Sequence, residues 1–213
     1  MSQQLQRYDP QQMNDLPRRT RTSFLNYLSG IKSAALIGTQ SEEGVDNLAV
    51  FNSIVHIGAS PMMLGFILRP HSVARHTYEN IRATNFYTIN HIGTDFIEKA
   101  HQTSAKYAAK TSEFTQVGLT PRRSEHPAPY VAESPVQIGL RYREEYRIEA
   151  NMTILVIGDV VEFWLPETVD AQSGHLDLSG LGAAAISGLD TYHGTEKLAS
   201  FEYAKPELPP RRK

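Results

Sequence analysis

The segment RPHSVARHT, residues 69–77, gathers residue types that bind anions. Arg69 and Arg75 offer guanidinium groups, Ser72 and Thr77 hydroxyls, and His71 a ring nitrogen. Ser72 is placed to cap a helix pattern running to Arg82, which would turn backbone N–H groups toward a ligand. Guanidinium, hydroxyl and helix N-terminus together bind phosphate. Each charge-assisted hydrogen bond contributes roughly 1.5–3 kcal/mol, so two or three supply much of the ~8 kcal/mol behind micromolar affinity. The plainer reading is a strand-to-helix loop with a serine cap. Some twenty residues earlier, NLAVFNSIV interrupts an apolar strand pattern with Asn47, Asn52 and Ser53. These polar groups could sit on a solvent face or at a bulge. Alternatively, beside Ala49, Val50 and Phe51, they form an apolar wall with a few polar groups, the usual form of a ligand pocket. A flavin would suit that wall, its ring edge taking amide and backbone partners and its phosphate lying on the basic rim.

Other chemistries are excluded or weak. There is no G-x-G-x-x-G after a strand, no P-loop, no G-x-S-x-G and no H-E-x-x-H. No Rossmann unit is therefore expected to hold a nicotinamide. The chain has no cysteine, which removes disulfides, thiolate metal sites and cysteine nucleophiles. His71 and His76 are five apart, a poor fit to one helix face, and no metal site is expected. No general acid or base is assigned. GLDTYH, residues 188–193, reads either as a turn or as a lid presenting Tyr192 and His193 to a substrate. RYREEYR (141–147) and RRTR (18–21) read as solvated surface, and Trp164 as core.

These groups need elements to place them. Residues 1–17 read as a flexible arm and 21–30 as a helix stopped by Gly30. Strands are expected over 34–39, 47–57 and 62–68, with Gly58 to Pro61 as a turn. A helix over 72–82 carries Val73, Thr77 and Ile81 on one face. A strand follows over 85–90, then a helix over 95–105 capped by Thr94, with 106–132 irregular. The longest strands are expected over 135–146 and 151–165, the second bent near Gly158. Short turns between strands favour an antiparallel barrel over a βαβ array.

With 213 residues the chain can bury a core without staples. Its formal net charge of -2 and lack of a basic half speak against nucleic acid. The polar N-terminus lacks the apolar region of a secretory signal, and no run of about 18 apolar residues could span a membrane. The expectation is a soluble cytoplasmic protein with no membrane partner.

Taken in order, several motifs resemble the flavin reductase-like family of FMN-binding split barrels. The family's opening ALIGTxxxxGxxNLAxF is matched by Ala35 to Thr39, Gly44, Asn47 to Ala49 and Phe51. Ser60-Pro61 matches a following turn. Arg69, Thr77, Asn80, Ile81, Phe86 and Asn90 match a later series, and Ile157 to Phe163 an IG.VV.F strand. His175 to Leu178, Gly188-Leu189 and Tyr192 match the tail. The resemblance spans about residues 24–195. It implies a mainly β fold, an antiparallel split β-barrel with peripheral helices, over 21–205. A flexible arm (1–20) would precede it and a polar tail (206–213) follow. It further implies a homodimer with one FMN per subunit near the interface. Ala49 to Ser53 would line the ring and ribityl chain, and Arg69, His71, Ser72 and Thr77 the phosphate. Many members have Pro where this chain has Val50, and Arg where it has Gly188. The first change leaves flavin binding intact; the second bears on the substrate side. The implied activity is hydride transfer from NAD(P)H to flavin and on to a second, unidentified electron acceptor. A non-enzymatic FMN-binding electron carrier or flavin store, and a split barrel holding haem or another flavin-like cofactor, stay open.

Overall fold

β-branched and aromatic runs dominate the middle of the chain, and they form strands. The structure is a computed structural model that describes residues 4–170 and 172–213. Two helices come first, α1 (Pro10–Asp15) and α2 (Arg18–Leu28), then β1 (Lys32–Ser33), β2 (Ala35–Gln40), β3 (Asp46–Phe51), β4 (Ile54–Ala59) and β5 (Met62–Leu68). Helix α3 (His76–Thr84) leads to β6 (Phe86–His91), α4 (Ile97–Gln102) and α5 (Glu113–Val117). The remaining strands are β7 (Pro121–Arg122), β8 (Tyr130–Val131), β9 (Gln137–Ile148), β10 (Thr153–Trp164), β11 (Ala185–Ser187) and β12 (Thr191–His193).

One antiparallel sheet of seven strands, ordered β3-β2-β6-β9-β10-β5-β4, forms the body. Its two edge strands are consecutive in the chain, joined only by Asn52 and Ser53. Laid flat, seven strands would hold their edges about 29 Å apart. Three peptide units from Phe51 to Ile54 reach only ~11 Å. The sheet must therefore curl until its edges meet. They meet at Ser53, whose carbonyl accepts from Ile67 N–H (3.2 Å) and whose Oγ donates to the Ile67 carbonyl (2.9 Å).

Curling gives the sheet an inside and an outside, and both are covered. One core cluster includes Ile37, Phe66, Ile81, Tyr87, Leu140 and Val156; the other includes Leu36, Leu48, Ile92, Phe96, Phe114 and Ile186. Strand β2 feeds both by alternation, Leu36 to one and Ile37 to the other, which is why it is buried from Ala35 to Thr39. The predicted bend in β10 is present: its pairing with β9 shifts register at Ile157/Gly158 and again at Val160/Glu162.

Several expectations need correction. The run 47–57 is two strands, because its partner changes from β2 to β5 at Asn52-Ser53. The helix expected from Ser72 begins at His76, with Ser72 and Val73 exposed in the loop before it. Thr94 caps no helix: its N–H donates to the Gly182 carbonyl, and α4 starts two residues past Asp95. The stretch 106–132 contains α5, β7 and β8. Trp164 is partly exposed, with the Arg122 guanidinium 3.9 Å over its ring. Within the expected arm, Asp9 and Gln12 form a reciprocal capping box that starts α1, with Pro10 in the first turn. No helix among the described residues is long and apolar enough to cross a membrane.

Candidate functional site

Strand β3 carries Asn47, Ala49, Val50 and Phe51, with Asn52 and Ser53 in the link after it, and its alternation decides which groups are free. Leu48 N–H leaves the ladder with β2 and donates to Glu113 Oε2 (2.9 Å). In an antiparallel pair, successive N–H groups point alternately toward and away from the neighbour. Val50 N–H therefore points to the same open side as Leu48 N–H. Val50 itself packs against the cluster of Leu48 and Phe114, while Phe51 turns inward against Phe66, ring centroids 5.1 Å apart. The outcome is an apolar strand with an open polar edge.

The basic loop joins β5 to α3, and each of these flanking elements is tied to β3 or to the link that follows it. At one end Asn47 Nδ2 donates to Thr77 Oγ1 (3.0 Å) and Thr39 Oγ1 (3.2 Å), and Asn80 Nδ2 also donates to Thr39 Oγ1 (3.1 Å). All four residues are buried. At the other end Ser53 holds Ile67, two residues before Arg69. The structure thus brings the predicted wall and the predicted rim together. It also shows that Asn47, Thr77 and Ser53 spend side-chain groups on joining them.

Within the loop, donors converge on an anionic oxygen. Glu79 Oε1 accepts from Arg75 N–H (3.1 Å) and lies 3.2 Å from His71 Nε2. Arg75 Nε donates to the Pro70 carbonyl (3.0 Å), bracing the bend. Arg69 and Ser72 are exposed, and Arg69 joins none of the ion pairs among the described residues. Glu79 thus occupies the Arg75 N–H and lies within hydrogen-bond distance of His71 Nε2. With the open edge at Val50, the exposed Arg69 guanidinium and Ser72 hydroxyl leave polar groups that fit a flavin cofactor.

The hairpin of β11 and β12 is held to the link after β3 by Asn52 Nδ2, which donates to the Gly188 carbonyl (2.8 Å). Tyr192 and His193, adjacent on β12, point to opposite faces. Tyr192 packs on the same cluster as Val50, and its hydroxyl lies 3.3 Å from His101 Nδ1. Burial, and then Asp190, pushes its phenol pKa up, so it stays neutral. His193 turns to Ser187 Oγ (2.8 Å).

Sequence reasoning missed Tyr27. Its hydroxyl lies 2.8 Å from Thr191 Oγ1 and donates to Asp190 Oδ1 (3.3 Å), so α2 is fastened to the hairpin tip. Its ring fills the space over Gly188, where a Cβ would come within 2.7 Å of Tyr27 Cζ. Gly188 also has φ +62. A side chain at 188 is therefore excluded twice, and the place it would occupy is taken by a residue 161 positions away. Glu113 was missed as well. Burial pushes its pKa up, opposed by the Leu48 N–H, its own N–H and the charge of His76. Nothing in TSEFTQ marks it as a partner of β3.

Comparison with known proteins gives the family and the fold. The family described as "Flavin reductase like domain" matches residues 30–179. A candidate flavin reductase with a split barrel domain from Shewanella frigidimarina NCIMB 400 is 42% identical. It superimposes with a TM-score of 0.89 over 93% of this chain and 100% of that one. Nitrilotriacetate monooxygenase component B from Bacillus cereus is 18% identical, with a TM-score of 0.81 over 93% of this chain and 100% of its own. Flavoredoxin of Desulfovibrio vulgaris (Miyazaki F) is 19% identical, with a TM-score of 0.71 over 82% of this chain and 92% of its own. The last two show the fold alone. An uncharacterized protein of Aquifex aeolicus (strain VF5) is 26% identical over 103 residues, 47% of this chain. That stretch spans about half, 53%, of the Aquifex protein's length. The curled seven-stranded sheet is the antiparallel split β-barrel expected from sequence.

Proposed function

The chain belongs to the flavin reductase-like family, and from that premise we propose that it is an FMN-dependent oxidoreductase using NAD(P)H. The observation that carries this reading is that the elements flanking the basic loop are tied to β3 and the link after it, Asn47 to Thr77 of α3 and Ser53 to Ile67 of β5. Between those two ties run an apolar strand with an open edge and a loop whose donors already hold a carboxylate. One short loop and one free guanidinium suit a single phosphate, which favours FMN over FAD.

FMN, when bound, supplies the redox chemistry, taking hydride from the nicotinamide and passing electrons to a second acceptor. The chain supplies position and charge. Val50 offers backbone groups to the ring edge, and Ala49 and Phe51 the apolar surround. Asn52 holds the Gly188 carbonyl and so fixes the hairpin against the wall. Arg69, Ser72, His71 and Arg75 take the phosphate. Asn47, Thr77 and Ser53 set the distance between the two halves. Tyr192 and His193 lie on the hairpin side, where nicotinamide or acceptor approaches. Two copies of the chain, with one flavin each, complete the reading.

The test is direct. Protein mixed with FMN and desalted should keep a flavin absorption band, and NADH or NADPH should bleach it rapidly in stopped flow. A colourless protein after desalting overturns the reading. Bleaching by dithionite but by neither nicotinamide would make the protein an FMN-binding electron carrier or flavin store. A haem band in its place would reassign the cofactor.

A further inference from the structure

Among the described residues, one carboxylate bonds within the basic loop, and it comes from the helix that follows. Residues 69–78, RPHSVARHTY, contain no Asp or Glu. Glu79 is the first acid after them and the only one in α3. Its Oε1 serves two nitrogens at once, accepting from Arg75 N–H at 3.1 Å and lying 3.2 Å from His71 Nε2. The His71 ring also packs edge-on against Tyr78, ring centroids 5.1 Å apart.

A helical glutamate has a more usual partner available. Arg82 lies three residues on, a neighbour on the surface of α3. Its guanidinium is turned instead to β9, where Nη1 donates to the Tyr142 hydroxyl and lies 3.4 Å from Glu145 Oε2. The Glu79 carboxylate is thus directed into the loop and not along its own helix.

These nitrogens are among the groups that the proposed function gives to the flavin phosphate. Arg75 has a single backbone N–H to give, so carboxylate and phosphate compete for it. A phosphate ester carries about −1.5 to −2 charges at pH 7, and at contact distance it repels a carboxylate. The phosphate settles only once Glu79 has swung out. That movement is open to it, because the Glu79 side chain is 44% exposed and surface ion pairs are weak. The displacement costs any phosphate the same, whatever the phosphate is attached to. FMN offsets it with the contacts of its ring along β3. Inorganic phosphate has no such contacts.

We infer that Glu79 is the selectivity residue of this loop: its carboxylate occupies donors the phosphate needs, so a bare phosphate is turned away and a phosphate carried on a flavin ring displaces it. This rests on the proposed function and adds a control on its phosphate site. Glu79 lowers phosphate affinity, so its removal raises it. A residue that merely braced the loop through Arg75 would do the opposite, and its loss would weaken FMN.

The test is a set of titrations on the full chain with FMN, riboflavin and inorganic phosphate. Flavins are read by fluorescence quenching, and phosphate by its competition with FMN. Glu79→Gln should bind FMN about three- to tenfold more tightly than wild type. Inorganic phosphate should compete at a concentration lower by the same factor. Riboflavin, which has no phosphate, should bind as it does to wild type. Glu79→Ala, which removes the acceptor altogether, should act in the same direction, and it decides the matter if circular dichroism shows the glutamine variant to be poorly folded. FMN bound no more tightly by the folded variant overturns the inference and leaves the proposed function standing. A gain shared by riboflavin also overturns it, because the phosphate would then play no part. A wild type that binds neither flavin overturns the proposed function, and this inference with it.

Discussion

Thr77→Val separates two roles that the sequence alone left together. The substitution keeps the side chain's shape and removes one oxygen. That oxygen accepts from Asn47 Nδ2 at 3.0 Å, and both residues are buried. Thr39 remains as the amide's other acceptor at 3.2 Å, so one of its two N–H groups is stranded. A stranded buried donor costs about 1–3 kcal/mol. For a chain of this size each kcal/mol lowers Tm by roughly 2–4 °C, giving a fall of about 2–12 °C. Urea midpoints should agree. In an Asn47→Leu background the donor is gone, and Thr77→Val should cost less by ~1 kcal/mol, well outside the ~0.3–0.5 kcal/mol of independent sites. FMN affinity, read from flavin fluorescence quenching, should change by under about threefold, or ~0.7 kcal/mol. Unchanged stability with a tenfold or greater loss of FMN would refute this reasoning, because the hydroxyl would then be a flavin contact and not a joint between β3 and α3.

Gly188→Ala should destabilise by about 2–3 kcal/mol: ~1–2 for a left-handed alanine, the rest from expelling Tyr27 and its hydrogen bonds. Calorimetry of the Tyr27→Ala/Gly188→Ala pair should recover the Tyr27 part; strictly additive losses would contradict the contact. Burial holds the His91 imidazole below its ordinary pKa. The unfolded chain therefore binds a proton near pH 6.5 that the folded chain resists. Stability should fall below that pH by up to ~1.4 kcal/mol per unit until the folded value is reached. His91→Gln should flatten this part of the urea-midpoint profile, and a profile parallel to wild type would count against it. Glu113 has the opposite sign. Its pKa is raised, so the unfolded chain ionises first, and stability declines as pH rises from about 4.3 toward the folded value. Glu113→Gln, which keeps an acceptor for Leu48 N–H, should gain on wild type between pH 4 and 7. Equal gain at both ends would refute that assignment.

What the sequence made legible was mostly local. Strand β5 was readable to the residue, because Met62 to Leu68 is apolar between a proline turn and Arg69. The bend in β10 was readable from Gly158 inside a β-branched run. The break at Asn52-Ser53 was not, since two polar residues in an apolar run read equally as a solvent face or a bulge. Only the identity of the neighbouring strand changes, and that is a property of the curled sheet. The start of α3 was misread because Ser72 is a good cap by type. The N–H of Arg75, the residue just before the helix, is instead taken by Glu79, the helix's fourth residue. Asn47 and Thr77 were readable as polar groups out of place, but not as each other's partners across 30 positions. Tyr27 over Gly188 left no local mark at either end.

The central claim is that a flavin lies along β3 with its phosphate on the loop from Arg69 to Arg75. Arg69→Ala tests it most directly, because Arg69 is exposed and pairs with no acid among the described residues, so its loss should spare the fold. Titrated in parallel with FMN and riboflavin, the variant should bind FMN roughly 10- to 100-fold more weakly, the equivalent of ~1.5–3 kcal/mol. Riboflavin, which lacks the phosphate, should bind as it does to the wild type. Equal loss for both ligands, or none for either, would place the phosphate elsewhere and contradict the account.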